Sequence, residues 1–172
     1  MIDFIQTYGK SKFVFEDPTT WSFDIKEIAH ALGNICRYTG HVNKFYSVAE
    51  HCVLMSEVVE ELTKTRKLAQ FALLHDAQEA YVHDLSTGLR RMFPEYIDLH
   101  DRVQSRILEF FGLNGYVPAI VRGFDIAMLK VEREQALNVV EGIDWEFPAG
   151  MVDLKVALQF WEQIGRASCR ER

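Results

Sequence analysis

The chain has 172 residues, of which 48% are hydrophobic and 26% are charged, as is typical of one globular domain. Its formal charge of −6 gives no general attraction to nucleic acid or to membranes, and no apolar run is long enough to span a bilayer. Cys36, Cys52 and Cys169 form neither a CxxC pair nor a disulfide framework, so we expect a protein of the reducing cytoplasm. We interpret Cys36 and Cys52, which lie among apolar residues, as small buried hydrophobes.

The C-terminal residues 164–172 differ in character from the rest of the chain. Their sequence, IGRASCRER, breaks the helical pattern before it and resembles the translation of a common sequencing adapter. We therefore expect residues 1–163 to form a single domain, and residues 164–172 to be a non-native or disordered tail that takes no part in the fold.

The remaining pattern predicts helices preceded by one small hairpin. Apolar and polar residues alternate over residues 2–15 around the turn signal Tyr8–Gly9–Lys10, which predicts a β-hairpin. Asp24 is expected to cap the first helix, and Ser47 with Glu50 forms the capping-box pattern at the start of the second. Helices are predicted at about 24–35, 47–62, 66–82, 94–111, 118–140 and 151–163. The predicted fold class is all-α, a helical bundle with a small N-terminal β-hairpin.

Ionisable residues interrupt the apolar stripes of three of these helices. In the stretch FALLHDAQEAYVHD, His75 and Glu79 occupy stripe positions, and Asp76 borders the stripe. His51 lies on the stripe of the helix before it, and Asp125 on that of the helix predicted at 118–140. Because an unpaired buried charge costs several kcal/mol, these groups must pair inside the fold or bind a ligand.

Two imidazoles and two carboxylates from three helices form a mixed nitrogen and oxygen donor set, which suits Zn, Mn, Fe, Co or Ni. Four protein ligands on an octahedral ion would leave positions for water and for a substrate oxygen, so that the ion could activate the water and polarise a phosphoryl group. A histidine on an apolar face is more often a hydrogen-bonded core residue. Spacing alone therefore leaves a metal site and a buried polar network as equal alternatives.

The pattern H…HD…D, here His51, His75–Asp76 and Asp125, resembles the HD-domain metal-dependent phosphohydrolases. Four longer segments resemble motifs of the small deoxynucleotide-hydrolase branch of that family, which includes bacterial 5′-deoxynucleotidases and phage dATP triphosphohydrolases. The segments are IAHALGNICRYTGH, FYSVAEHCVL, ALLHDAQEAYVHDL and FDIAMLKVERE. The resemblance covers about residues 24–135 and implies a single HD domain with a divalent transition metal (Zn, Co or Mn) at its centre.

The resemblance also implies roles for individual residues. The implied metal ligands are His51, His75, Asp76 and Asp125. Glu79 and Asp84 match the acidic pair that would activate the attacking water and serve the leaving group. The implied substrate contacts are Arg37, Tyr38, Arg90 and Arg122. Simple packing is the competing interpretation of Tyr38, and a solvated helix-face cation that of Arg90 and Arg122. The loop DLPxP of the branch is DLSTG here, at residues 84–88, so its phosphate contacts do not carry over directly.

The predicted function is metal-dependent phosphate hydrolysis of a small-molecule deoxyribonucleotide, in a bacterial host or phage-infected cell. We predict no nucleic acid polymer or membrane as partner, and the branch implies a homo-oligomer. The bond cleaved stays open between a dATP-like dNTP triphosphohydrolase and a dNMP 5′-nucleotidase, with Arg37, Arg90 and Arg122 slightly favouring the longer phosphate chain. The alternative is a non-catalytic nucleotide-binding HD regulatory module, which would be expected to lack part of the ligand and acid set. Di-iron oxidative chemistry would need further histidines, and His83 and His100 lack convincing spacing for it.

Overall fold

The structure is a computed structural model, and it describes residues 3–113, 115–143 and 145–147. Its elements in chain order are β1 (Phe4–Gln6), β2 (Lys12–Val14), α1 (Ile25–Asn34), α2 (Val48–Thr63), α3 (Arg66–Leu74), α4 (Glu79–Val82), α5 (Thr87–Arg90), α6 (Pro94–Phe110) and α7 (Ala119–Ala136). Short 3₁₀ turns lie at Pro18–Thr20 and Arg37–Gly40. The prediction of a mainly helical chain with one small hairpin is therefore confirmed. The helix predicted at 151–163 and the tail at 164–172 lie outside the described residues.

The hairpin forms as predicted, with β1 antiparallel to β2 and Phe4 opposite Val14. Phe13 carries it into the core, where its ring stacks on that of Tyr81 at a centroid distance of 4.6 Å. The hairpin turn is tied to α1, because the backbone N–H of Gly9 donates to Glu27 Oε2 at 2.9 Å. A Cβ at Gly9 would lie only 2.4 Å from that oxygen, so a larger residue there would displace the Glu27 carboxylate.

Both predicted helix caps are present, and they fix the starts of α1 and of α2, the helix that carries His51. The Asp24 carboxylate accepts from the N–H of Lys26 at the start of α1. Ser47 and Glu50 form a reciprocal capping box at the start of α2, with the Glu50 carboxylate accepting from the Ser47 N–H at 2.8 Å. His51 consequently lies in the first turn of a helix whose start is fixed by capping hydrogen bonds.

The helix predicted over residues 66–82 is wrong in one respect, since it is interrupted at the His–Asp pair. α3 ends at Leu74, and α4 begins only at Glu79. Between them the N–H of Ala77 donates to the carbonyl of Leu74 at 3.2 Å, an i to i+3 bond of the tighter 3₁₀ type. Side chains satisfy the carbonyls at this helix end, because His75 Nδ1 donates to Ala72 O at 2.7 Å and Gln104 Nε2 to Leu74 O at 2.8 Å.

The core lies around α2, which packs against α1, α3 and α7. Its fully buried side chains include residues of α2, α6 and α7, among them Leu54, Met55, Val58, Ile107, Leu108 and Met128. α7 ends at Ala136, earlier than the predicted 140, since Leu137 already has an extended backbone. Within the described residues, none of the helices combines the length and the apolar character that a bilayer crossing requires.

Candidate metal centre

The four predicted ligands lie close together beside α2, and the ligand atoms of His51, His75 and Asp125 lie within 4.8 Å of one another. His51 Nε2 lies 3.1 Å from His75 Nε2 and 3.3 Å from Asp125 Oδ1. Asp76 Oδ2 lies 3.1 Å from His75 Nε2 and 3.9 Å from His51 Nε2. α2 contributes His51, the turn after α3 contributes the His–Asp pair, and α7 contributes Asp125. The structure thus brings together residues that are up to 74 positions apart in the chain, since the ligands run from His51 to Asp125.

The geometry of these donor atoms fits a bound divalent ion. Donors at about 2.1 Å from a common ion lie about 3.0 to 3.4 Å apart for octahedral or tetrahedral angles, which agrees with the shorter spacings above. Ala72 O and the Glu132 carboxylate can only accept, so His75 Nδ1 and His51 Nδ1 must carry hydrogens. In its neutral form, which metal binding requires, each ring then presents its Nε2 lone pair to the centre. Two Nε2 atoms 3.1 Å apart can be held together by a metal ion between them or by a proton on one of them that the other accepts.

The electrostatics of the cluster favour a cation in the same way. Burial alone would lower the pKa of His75, but the carboxylates of Asp76 and Asp125 raise it well above its usual range. Burial would raise the pKa of Asp76, yet His75 and His51 hold it at about 2. Burial would likewise raise the pKa of Asp125, but hydrogen bonds from His51 and His75 lower it well below its usual value. The two carboxylates are therefore ionised at neutral pH, as metal ligands must be. His51, His75 and Asp125 form a group that could hold a metal ion.

The two predicted acids lie beside this cluster. Glu79 is buried, and its Oε2 has no hydrogen-bond partner among the described residues. Burial, followed by the charges of Asp76 and Asp84, raises its pKa well above the usual value. Asp84 is half-buried and its pKa is also raised, chiefly by burial and against the opposing effect of Arg37. Both carboxyl groups are thus poised to exchange protons closer to neutral pH than free carboxyl groups would be.

Arg37 and Tyr38 reach the cluster from the 3₁₀ turn before α2. Arg37 is buried, with Nη1 3.6 Å from Asp76 Oδ2 and Nη2 donating to Glu132 Oε2 at 2.9 Å. Tyr38 donates its hydroxyl hydrogen to the same Glu132 oxygen at 2.5 Å. Arg37 Nε is buried and has no partner in the described part of the chain. The turn is strained, because Tyr38 and Thr39 both adopt the left-handed conformation at φ 55°.

Arg90 and Arg122 lie on a different side of the cluster, in the wall of a cavity of about 500 Å³. His75, Asp76 and Asp125 form one end of this cavity, so it opens onto the candidate metal centre. Arg91, which the sequence did not single out, is a third guanidinium in the same wall. The described lining of this cavity does not include Arg37 or Tyr38, which meet the cluster through Asp76 and Glu132 instead.

Comparison with known proteins finds sequence similarity to two bacterial proteins. No family model matches it. It is 35% identical over 150 residues to the uncharacterized protein YfdR of Escherichia coli (strain K12), an alignment that covers 87% of this chain and 81% of YfdR. The chain belongs to the YfdR family. The uncharacterized protein RCAP_rcc00048 of Rhodobacter capsulatus is 32% identical over 136 residues, which covers 73% of this chain and 68% of that protein.

We did not predict from the sequence that Glu132 belongs to the site in this member of the YfdR family. Glu132 is fully buried on α7 and accepts hydrogen bonds from Arg37, Tyr38, Tyr46 and His51. Burial would raise its pKa, but the positive charges of His51 and Arg37 lower it to about 2. The signal was present in the sequence, because Glu132 lies seven residues after Asp125 on the same apolar stripe.

Cys52 also lies beside the candidate ligands, which the packing expected of it did not predict. It is buried, as predicted, and burial raises the pKa of its thiol. Its sulfur nevertheless lies within 4.8 Å of ligand atoms of His75 and Asp76, a second group that could hold a metal ion. Only the turn at the end of α3 brings the histidine and the aspartate within reach of this thiol, so no spacing rule would have identified it.

Proposed function

We propose that this chain is an HD-domain phosphohydrolase that uses a divalent transition metal to hydrolyse deoxyribonucleotides. The observation that carries the proposal is the convergence of His51, His75, Asp76 and Asp125 at the end of an arginine-walled cavity. Phosphate hydrolysis needs a centre that binds a cation, carboxyl groups that move protons, and positive charge for the phosphate oxygens. The described residues offer all three within one connected region.

The four ligands suit Zn, Co or Mn, since imidazole nitrogen and carboxylate oxygen are donors that all three ions accept. When bound, such an ion lowers the pKa of water and withdraws charge from a phosphoryl oxygen. The protein orients the imidazoles for this purpose through their Nδ1 hydrogens, which donate to Ala72 O and to Glu132. Both Nε2 atoms are thereby directed to the centre.

Glu79 and Asp84 are the groups proposed to move protons during hydrolysis. A water oxygen forms a new bond to phosphorus as the bond from phosphorus to the leaving oxygen breaks. One carboxylate takes a proton from that water, and a protonated carboxyl group gives one to the leaving oxygen. The buried Oε2 of Glu79, which has no partner within the described residues, is available for such a contact.

The guanidinium groups are proposed to bind the phosphate. Arg37 is held beside Asp76, and Arg90, Arg91 and Arg122 line the cavity. Planar guanidinium groups bind phosphate oxygens in pairs, and a cavity of about 500 Å³ lies within the usual range for small-molecule sites. The same groups can serve a monophosphate or a triphosphate, so the products identify the bond: inorganic phosphate from a dNMP, or triphosphate from a dNTP.

The test is a turnover screen of the full chain with dNMPs, dNTPs and ribonucleotides, each with Mn²⁺, Co²⁺ or Zn²⁺ and with a chelator. We expect metal-dependent release of phosphate or triphosphate from deoxynucleotides, and loss of that activity in Asp125→Asn. Asp98→Asn is the matched control, because Asp98 is exposed on α6 and pairs only with Arg102 among the described residues. Nucleotide binding by calorimetry without turnover under any condition would instead support the regulatory module.

A further inference from the structure

Glu132 stands out because one buried carboxylate serves four partners. The side chain is 0% exposed. Its Oε2 accepts from Arg37 Nη2 at 2.9 Å and from the Tyr38 hydroxyl at 2.5 Å. Its Oε1 accepts from His51 Nδ1 at 2.5 Å and from the Tyr46 hydroxyl at 3.0 Å. A buried carboxylate with this many donors is held firmly in one arrangement, because losing any partner would leave a charged or polar group unpaired in the core.

All four donors come from one stretch of chain, residues 37–51, while the acceptor comes from α7. That stretch contains the left-handed turn at Tyr38 and Thr39, which is closed locally by a bond from the N–H of His41 to the carbonyl of Tyr38 at 2.9 Å. A second tie runs between the same elements, since the N–H of Asn43 donates to the carbonyl of Ala136 at 2.8 Å. Glu132 therefore holds this loop in place against α7.

The contact with His51 determines which imidazole nitrogen faces the candidate metal centre. A carboxylate has no hydrogen to give, so Nδ1 must donate, and in the neutral ring Nε2 is the nitrogen that keeps its lone pair. Asp125 and Glu132 lie seven residues apart on α7 and so project from the same face of that helix. Helix α7 thus provides both a predicted metal ligand and the group that orients another one.

Arg37 depends on the same carboxylate. Its Nη2 is held by Glu132 while its Nη1 lies 3.6 Å from Asp76, a predicted metal ligand. The guanidinium is buried and lies 5.4 Å from the Tyr38 ring, whose hydroxyl Glu132 also binds. One side chain therefore fixes a candidate phosphate-binding group and a candidate metal ligand in a single arrangement.

We infer that Glu132 is a positioning residue that couples metal binding to phosphate binding, by fixing the Nδ1–H tautomer of His51 and the guanidinium of Arg37. The inference deepens the proposed function and rests on it for the role of the phosphate. Its part concerning the metal stands on the geometry of Glu132 and His51 and can be tested without any turnover.

The experiment compares the full chain with Glu132→Gln after both have been stripped of metal. Mn²⁺ affinity is measured by competition with a chelating dye, and the imidazole nitrogens are followed by long-range ¹H–¹⁵N NMR. We expect Glu132→Gln to bind Mn²⁺ about 10- to 100-fold more weakly, as is usual when a partner behind a ligating histidine is removed. Where turnover is observed, we expect KM for the nucleotide to rise as well, because Arg37 loses its anchor.

The matched control is Glu27→Gln. Glu27 is also a buried carboxylate that accepts from a backbone N–H and a tyrosine hydroxyl, those of Gly9 and Tyr81. It lies on α1 and has no described contact with the candidate ligands, so Mn²⁺ affinity should match that of the original chain. A loss of affinity in both variants would mean a general effect of removing a buried charge and would overturn the inference.

One further measurement and one further variant make the test decisive. In the original chain, His51 should show a protonated Nδ1 and an unprotonated Nε2 once Mn²⁺ is replaced by diamagnetic Zn²⁺, and the opposite tautomer would overturn the inference. Should Glu132→Gln fail to fold, Tyr46→Phe removes a single donor to Oε1 and is expected to weaken metal binding in the same direction. Unchanged affinity in the folded variant would refute the coupling, whereas an original chain that binds no metal would refute the proposed function itself.

Discussion

At the scale of single residues, the candidate centre depends on which atom of each side chain is free to face it. His75 donates its Nδ1 hydrogen to the carbonyl of Ala72, and His51 donates its Nδ1 hydrogen to the Glu132 carboxylate. These bonds leave the two Nε2 atoms 3.1 Å apart, between the carboxylates of Asp76 and Asp125. A donor set oriented in this way could hold a cation without rearrangement, because the second partners already hold the rings.

The first prediction concerns the ligands themselves. His75→Ala and Asp76→Ala should each lose bound metal and hydrolysis while the chain stays folded, because each removes a donor without breaking a helix. Metal content after dialysis, by mass spectrometry, and circular dichroism check the two halves of this prediction. His30→Ala is the control, since His30 is exposed and stacks on Tyr8. Full metal content in either ligand variant would contradict the site.

The second prediction separates proton transfer from metal binding. Glu79→Gln keeps the shape of the side chain but cannot exchange a proton, so kcat should fall by about 10²- to 10⁴-fold. Metal content should stay close to that of the original chain, because Glu79 is not among the residues grouped as ligands. Steady-state kinetics and metal analysis on the same preparation measure both quantities. Loss of metal without a fall in kcat per bound ion would assign Glu79 a structural role.

At the scale of secondary-structure elements, the sequence patterns predicted correctly those helix boundaries that local hydrogen bonds determine. The capping residues Asp24 and Ser47 mark the true starts of α1 and α2, because a cap is a bond within three residues. The break after α3 escaped detection, since His75 has a nearly helical backbone at φ −66° and ψ −25°. A 3₁₀ turn keeps the apolar spacing of a helix over a few residues, so periodicity cannot reveal it.

The third prediction concerns the residue between α4 and Asp84. His83 adopts φ 71° and ψ 163°, a conformation that is essentially restricted to glycine. His83→Gly should therefore stabilise the chain by about 1 kcal/mol, the strain relieved being partly offset by the greater freedom of glycine in the unfolded chain. The free energy of unfolding in urea measures it. Glu57→Gly, at an exposed site inside α2, is the control and should destabilise by about 1 kcal/mol.

At the scale of the whole molecule, the buried charges should make stability depend on acid. Burial opposes ionisation of the Glu132 carboxyl, but the charges of His51 and Arg37 outweigh this effect, so folding lowers its pKa from about 4.5 to about 2. A lowered native pKa means that the unfolded chain binds more protons, so stability is present above about pH 4.5 and is lost as the pH falls towards about 2. The loss attributable to this group is about 3 kcal/mol.

This fourth prediction is tested by urea unfolding across that pH range, in the presence of a chelator so that metal release does not contribute. The original chain should lose stability steeply. Glu132→Gln should start less stable and show a flatter dependence, because it carries no group to protonate at this position. Parallel curves for the two chains would show that the acid sensitivity comes from other carboxylates, such as Asp76.

The sequence by itself determined the mainly helical class, the hairpin, the helix starts and the residue types at the candidate centre. Periodicity and capping encode these features locally, and a polar residue on an apolar stripe is visible without coordinates. The homo-oligomer and the bond cleaved stay predictions.

Only the tertiary structure decided which polar residues meet. Glu132 lies on an apolar helix stripe, as His75 does. Its role depends on four hydrogen-bond donors in residues 37–51, which are 81 to 95 positions away in the sequence. Arg91 and Cys52 joined the site through the placement of α5 and the turn after α3. The physical reason is that hydrogen bonds and charge pairs act over a few ångströms in space, whereas sequence patterns report only neighbours along a helix or a strand.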